Sequence, residues 1–312
     1  ERSPAYHAQV LADLIECLAV LPGGEERERL KEATDRMTQA LVDLTHPDGF
    51  VSLFNDGGLH MATPVTAILA AHRKLGGPWI TPRPVGALRD AGYFTARSGE
   101  DLVVVDCGRL GPDELPAHAH GDALAFEWTL SGRRLVVDAG VYEYQGPRRA
   151  WSRATRSHNT LTLDDRDQAE FWGEFRMARR PDVSLDVFES DGVGFRLRGA
   201  HDGYRRLAGS PIHERRFDVR PDRIRIEDVV RGGSGQAARA RILLHPGVAI
   251  EREPEGLVLT AGPARAILRT AAPVSVVDET WAPDFGVGHD TKQIVLDYGA
   301  APCEGSFVLE RS

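Results

Sequence analysis

Residues 212–230 read IHERRFDVRPDRIRIEDVV. Two β-favouring runs, Ile212 to Val219 and Ile224 to Val230, are split by Pro221-Asp222, which is turn chemistry. Working outward, the same texture recurs from Gly92 onward. Ahead of this stretch lie Leu102 to Val105, Ala125 to Leu130, Leu135 to Val137, Thr160 to Leu163, Val183 to Val187 and Gly194 to Leu197. Behind it lie Ala240 to Leu244, Val248 to Glu251, Leu257 to Thr260, Ala266 to Thr270, Val274 to Val277, Gln293 to Tyr298 and Gly305 to Leu309. Many short strands at such spacing, divided by Gly, Pro, Asp and Asn, predict an antiparallel β-sandwich. No repeat of fixed period is present, which argues against a propeller.

The first 77 residues carry a different period. Ser3-Pro4 is an N-cap followed by proline at the first helical position, and Val10, Leu11, Leu14, Ile15 and Leu18 then recur at helical spacing until Pro22-Gly23-Gly24. A second amphipathic helix is expected from Glu25 to Leu44, burying Leu30, Ala33, Met37, Leu41 and Leu44. A third follows Thr63-Pro64 and ends at Gly76-Gly77. The fold class is therefore α+β and multidomain: a helical segment (1–77), a Pro-rich linker (78–91) and a large antiparallel β-sandwich (92–312).

With 42% hydrophobic and 27% charged residues the composition is that of an ordinary globular protein. A net charge of −8 gives no support to nucleic-acid binding. No apolar run approaches the roughly 18 residues of a membrane span, so no membrane partner is expected. Cys17, Cys107 and Cys303 are widely spaced, form no zinc pattern and read as buried thiols. Arginines concentrate at Arg148-Arg149, Arg153, Arg156, Arg176 and Arg179-Arg180, which is either scattered surface charge or a basic cleft for an acidic substrate. The chain opens at Glu1 without Met and enters a helix at once, so it reads as a piece of a longer polypeptide.

The chemistry-bearing residues gather between His118 and Asn159. His118-Ala119-His120-Gly121-Asp122 sets two imidazoles on alternate residues, which share a face if the segment is a strand, and Gly121 permits close approach of the backbone. An isolated His-x-His pair is more often a hydrogen-bonded surface feature than a metal site. Leu135 to Val137 then runs into Asp138, and Trp151-Ser152-Arg153-Ala154-Thr155-Arg156-Ser157-His158-Asn159-Thr160 brings a third histidine directly before a strand. Two histidines and an aspartate with an open position suit zinc.

Taken in order, these motifs resemble the heparinase II/III-like polysaccharide lyases. The features that carry the resemblance are His118-x-His120-x-Asp122, the strand into Asp138-x-Gly140-x-Tyr142, the run from Arg153 into His158-Asn159-Thr160, and Gln168 to Trp172 with Phe175-Arg176. Glu1-Arg2-Ser3-Pro4-Ala5-Tyr6-His7, Asp48-Gly49-Phe50 and Leu53-Phe54-Asn55-Asp56 add to it from the helical segment. The resemblance implies the end of an (α/α) toroid ahead of the sandwich, and cleavage of a uronic-acid-containing polysaccharide by β-elimination. It implies His120, Asp138 and His158 as ligands of a mainly structural zinc, Tyr6 as the catalytic tyrosine and His118 beside it. His7, Arg153, Asn159 and Tyr144 are expected at the substrate or just behind the site, with Tyr142, Trp151 and Trp172 as further candidates for the cleft wall.

The reaction explains these residue types. The C5 proton lies next to a carboxylate whose charge opposes the developing carbanion, so neutralising groups are needed. A tyrosine, with an unperturbed pKa of about 10, is ready as an acid and needs cationic neighbours to serve as a base. Further neutralising groups of this family come from helices ahead of the tyrosine, whereas only five residues precede Tyr6 here. Half a cleft is therefore expected, with the front of the toroid elsewhere in the polypeptide or on a separate chain. The competing readings are a zinc-dependent hydrolase using the same ligands and a non-catalytic module that binds acidic glycans. Heparan sulfate, hyaluronan, alginate and bacterial exopolysaccharides are the candidate substrates, and the resemblance implies a periplasmic or secreted location.

Overall fold

A computed structural model describes residues 2–312. Helix α1 (Pro4–Val20) starts where the sequence places it: the Ser3 hydroxyl accepts the Tyr6 N–H at 3.2 Å. It buries Ala5, Ala8, Leu11, Ile15 and Leu18, while Val10 is left 47% exposed. Helix α2 (Glu25–Asp43) carries three glutamates in its first turn, favourable at the positive end of the helix dipole. Its buried stripe is Thr34, Thr38, Leu41 and Val42 rather than one through Leu30, Ala33 and Met37. The threonine hydroxyls bond back to Lys31 O and Thr34 O, so burying them leaves no polar group unsatisfied. Helix α3 (Val65–Lys74) completes a small helical core around Leu11, Ile15, Leu41, Val51 and Ile68.

The β-region holds three antiparallel sheets. The first is a meander of β1 (Val85–Leu88), β2 (Tyr93–Ser98), β3 (Asp101–Asp106), β4 (Phe126–Leu130) and β5 (Arg133–Val136). Strand β1 lies inside the stretch read as a linker. Its flanking prolines look like breakers, yet proline is tolerated at the start of an edge strand, and Pro84 O accepts the Arg97 N–H at 2.7 Å. The second sheet has eight strands, in the order Ala249–Glu253, Gly256–Ala261, Ala264–Thr270, Cys303–Arg311, Arg223–Arg231, Ile212–Arg220, Phe195–His201 and Val183–Ser190. The third runs Val274–Asp284, Val287–Ala300, Ala237–Leu243, Leu161–Leu163, and the Val136–Leu244 bridge joins it to β5. One core receives side chains from all three sheets, among them Phe94, Phe126, Trp128, Phe217, Ile226, Ile242 and Leu296.

Two features of this fold position the site. Leu44, Phe54, Tyr93, Leu102, Val104 and Ala125 form a second cluster that seats the helical segment on the meander sheet, and the Ser3 hydroxyl donates to Asp56 O at 2.5 Å. Within the eight-stranded sheet, Asp228 lies opposite Arg215, whose guanidinium also donates to Leu124 O and Asn159 O at 2.9 and 2.8 Å. This ties the sandwich to the segments that carry His120 and His158. Of the three cysteines only Cys107 is buried. Cys17 is exposed and Cys303 half-buried, which corrects the reading of all three as core thiols. No helix of the described residues is long and apolar enough to cross a membrane.

Candidate active site and metal centre

His120, Asp138 and His158 are all fully buried, and their ligand atoms lie within 4.8 Å of one another. His120 Nε2 lies 2.8 Å from Asp56 Oδ1, and His158 Nδ1 lies 2.8 Å from Asp138 Oδ2. Carboxylates accept, so both of these ring nitrogens carry the hydrogen. The opposite nitrogens, His120 Nδ1 and His158 Nε2, are buried without a hydrogen-bond partner. Two buried imidazoles grouped with a buried carboxylate, the His120 ring oriented by Asp56 and the His158 ring by Asp138 itself, fit a divalent metal such as zinc. Burial pushes the His120 imidazolium down to about 3, whereas Asp138 overrides burial and lifts His158 to about 9. Burial also raises Asp122, nearby, to about 6.

Asp56 is the hub in front of this centre. Oδ2 accepts His118 Nδ1–H at 2.8 Å, Oδ1 accepts His120 Nε2–H, and the buried Arg149 guanidinium pairs with both oxygens. Burial alone would raise the Asp56 carboxyl, but the donors from His118, His120 and Arg149 hold it well below the usual carboxylate range. Its backbone N–H donates to His118 O at 3.0 Å, which fixes the loop as well as the ring.

Outside this hub sits an aromatic cluster. The Tyr6 ring is 4.8 Å from that of His118, and the Tyr6 and Tyr144 hydroxyls are 2.7 Å apart. Tyr144 and Phe175 both pack near His118 and over Arg149. Burial and the Tyr6 contact push the Tyr144 phenol upward, so it stays a neutral hydroxyl. A cavity of about 1010 Å³ opens on the other side of Tyr6, lined by His7, Arg36, Met37, Arg89 and Tyr93. His118 and Tyr144 do not line it, so Tyr6 stands between the cavity and the aromatic cluster.

The family profile described as heparinase II/III-like, C-terminal matches residues 80–308. The chain belongs to the heparinase II/III-like family. It is similar to the heparin-sulfate lyase of Pedobacter heparinus, with 29% identity over 196 residues that cover 54% of this chain and 29% of that protein. Among solved structures, a heparinase III superposes with a TM-score of 0.80 at 18% identity, over 100% of this chain and 52% of its own. The heparan sulfate lyase of Pedobacter heparinus gives 0.77 at 18% identity, over 100% and 52%. At such identities the structural likeness is one of fold. The chain spans about half the length of these solved relatives.

The expected site residues divide. Tyr6, His118 and Tyr144 come together, as do His120, Asp138 and His158. His118 and His120 do not lie on a strand: His118 ends a 3-10 turn (Pro116–His118), and the two rings meet through Asp56. Gly121 is required, because a Cβ there would collide with the Thr155 hydroxyl. His7 is half-buried, with its ring nitrogen 2.8 Å from Met37 O, and burial lowers its pKa. Arg153 and Asn159, expected at the substrate or just behind the site, are buried behind it. Arg153 is buried and donates to the carbonyls of Ala119, Gly173, Glu174 and Arg176. Asn159 is buried, donates to Phe126 O and Val137 O, and accepts the Leu243 N–H. Both brace the site from behind. Tyr142 lies under Arg148, and Trp151 donates to Glu279, so neither joins the cluster around His118. Glu1, the first residue of the N-terminal motif, lies outside the described residues.

Two residues that matter were not singled out from the sequence. Asp56 carries no signal beyond its place in Leu53-Phe54-Asn55-Asp56, and Arg149 is one of many arginines. Helix α4 (Pro147–Arg153), which carries Arg149 and Arg153, is seven residues long and too short for a periodic signal.

Proposed function

We propose that this chain is part of a polysaccharide lyase that cleaves a uronic-acid-containing acidic polysaccharide by β-elimination, leaving an unsaturated uronide. The helices ahead of the sandwich are read as the end of an (α/α) toroid. The observation that carries the reading is the layering of the site. Tyr6, His118 and Tyr144 are partly exposed and within reach of one another, and the candidate metal ligands are fully buried behind Asp56. That burial favours a structural zinc, which would tie the loop of His120 to the strand end at Asp138 and the segment of His158. It also disfavours a hydrolase, whose metal-bound water must reach the substrate.

In the elimination the C5 proton leaves, the C4–C5 double bond forms and the C4–oxygen bond breaks, with the leaving oxygen taking a proton. Tyr6 is the group assigned to this proton traffic, as donor to the leaving oxygen or, as phenolate, acceptor from C5. Tyr144 holds the Tyr6 hydroxyl in place. His118 gives Nδ1–H to Asp56, which fixes its ring beside Tyr6. Arg149 is neutralised by Asp56, so the charge on the substrate carboxylate needs further neutralising groups.

Heparan sulfate is the first substrate to try, because one of the similar solved structures is a heparan sulfate lyase. A periplasmic or secreted location follows from such a substrate. The test is to incubate the full-length protein with heparan sulfate, hyaluronan, alginate and bacterial exopolysaccharide and follow the ultraviolet absorbance of the new double bond. Absorbance with at least one is expected. New reducing ends without it would mean hydrolysis and overturn the reading.

A further inference from the structure

Residues 169–179 form a short hairpin beside the site. Glu170 N–H donates to Arg179 O at 3.0 Å, Ala178 N–H to Glu170 O at 2.8 Å and Trp172 N–H to Arg176 O at 3.2 Å, with Gly173 at φ 69° in the turn. Hairpins of this size are floppy in isolation, but this one is held from below. Arg149 Nε donates to Glu174 O, and Arg153 donates to the carbonyls of Gly173, Glu174 and Arg176 while its guanidinium lies 4.5 Å from the Phe171 ring. Two arginines, each 1% exposed, are costly to desolvate. Here they fix the backbone of the exposed turn, while Ala169, Phe171 and Met177 pack the base of the hairpin against Leu110, Ala119 and Ala123.

The turn presents aromatic and cationic groups to solvent. Trp172 is 54% exposed and Phe175 38%. Arg176 lies 4.8 Å from the Trp172 ring, and Phe175 reaches back to the rings of His118 and Tyr144. A rigid exposed tryptophan beside a guanidinium combines a flat apolar face with a partner for a carboxylate or sulfate. Those are the two surfaces of an acidic pyranose.

We propose that this hairpin is a preformed subsite for an acidic sugar adjoining the cleavage position, with Trp172 stacking on the ring and Arg176 pairing with its acidic group. The proposal rests on the lyase reading for its choice of ligand, and the test separates the two. Binding of a heparan sulfate dodecasaccharide is measured by calorimetry on the full-length protein in a Tyr6→Phe background, so that turnover does not intervene. Trp172→Ala is expected to weaken binding about tenfold, the scale of an aromatic anchor, with Trp172→Phe recovering most of it. Arg176→Ala is expected to weaken binding and flatten its dependence on salt. Trp79→Ala, at an exposed tryptophan elsewhere, should change nothing. Trp172→Ala binding within twofold of the parent overturns the subsite. So does unchanged binding with a lowered melting temperature, which would make the hairpin a packing surface for another part of the protein. Absence of unsaturated product from the unsubstituted protein would overturn the lyase reading alone, since the binding comparison stands without it.

Discussion

The hydroxyl of Tyr6, in the first turn of the first helix, lies 2.7 Å from the hydroxyl of Tyr144, 138 residues later in the β-region. This contact closes the site across the boundary between helices and sandwich. It is reinforced one layer down, where Ser3 donates to Asp56 O and Asp56 holds His118, His120 and Arg149. His118 and the candidate metal ligand His120 thus share one carboxylate, and each depends on the other's placement.

Asp56→Asn tests that dependence. The substitution keeps the shape but leaves the buried Arg149 without its counter-charge and turns one acceptor oxygen into a donor. Zinc affinity, measured by competition with a chromogenic chelator, should fall about 10–100-fold, as for other residues behind metal-bound histidines. Stability to urea should fall by about 3–5 kcal/mol, the usual result of stranding a buried charge. An Asn variant with native affinity and stability would show that Asp56 is not the hub.

Metal analysis of the full-length protein should find about one zinc per chain. Removing it with a chelator should lower the melting temperature by at least about 5 °C, reversibly on adding zinc back. His158→Ala should lose the metal and melt at the temperature of the chelated parent. A protein that purifies without metal and is indifferent to zinc would leave the two orphaned ring nitrogens unexplained.

Stability should also fall in mild acid. His7, His46, His201 and His213, none of them a candidate ligand, are each held below the ordinary histidine pKa, first of all by burial. In the unfolded chain they take up protons near pH 6.5, and in the folded protein only at lower pH. Below about pH 6.5 the unfolded state therefore binds more protons, so the contribution of these groups is complete above that pH and shrinks as pH falls towards their folded values. Urea titrations between pH 7.5 and 5 should show a midpoint that declines below pH 6.5. Replacing His213 with Gln should reduce the slope, and a flat profile would contradict the assignment.

The sandwich was legible because its strands are short, β-rich and punctuated by turn residues, as at Pro221-Asp222. Where proline flanked a strand, as at Val85–Leu88, the breaker signal concealed it. The grouping of His120, Asp138 and His158 is implied by the family resemblance, since no local spacing connects residues so far apart. Asp56, Arg149 and the true role of Arg153 were not legible. Charged residues are rarely buried, so a sequence reading puts them on the surface unless a partner is known. Here the partners are a distant loop for Asp56 and the carbonyls of a hairpin for Arg153, and both are set only by tertiary packing.

The most direct test of the account is the rate at which full-length Tyr6→Phe protein forms unsaturated uronide from its best substrate. Tyrosine and phenylalanine differ by one hydroxyl, so the helix and its cap should stay intact, with zinc content and melting temperature close to those of the parent. If Tyr6 moves the proton, the rate should fall by about 10²–10⁴-fold, the contribution of one positioned acid or base. A variant with normal fold and metal that works within a few-fold of the parent would contradict the assignment and move the chemistry elsewhere, with His118 first in line.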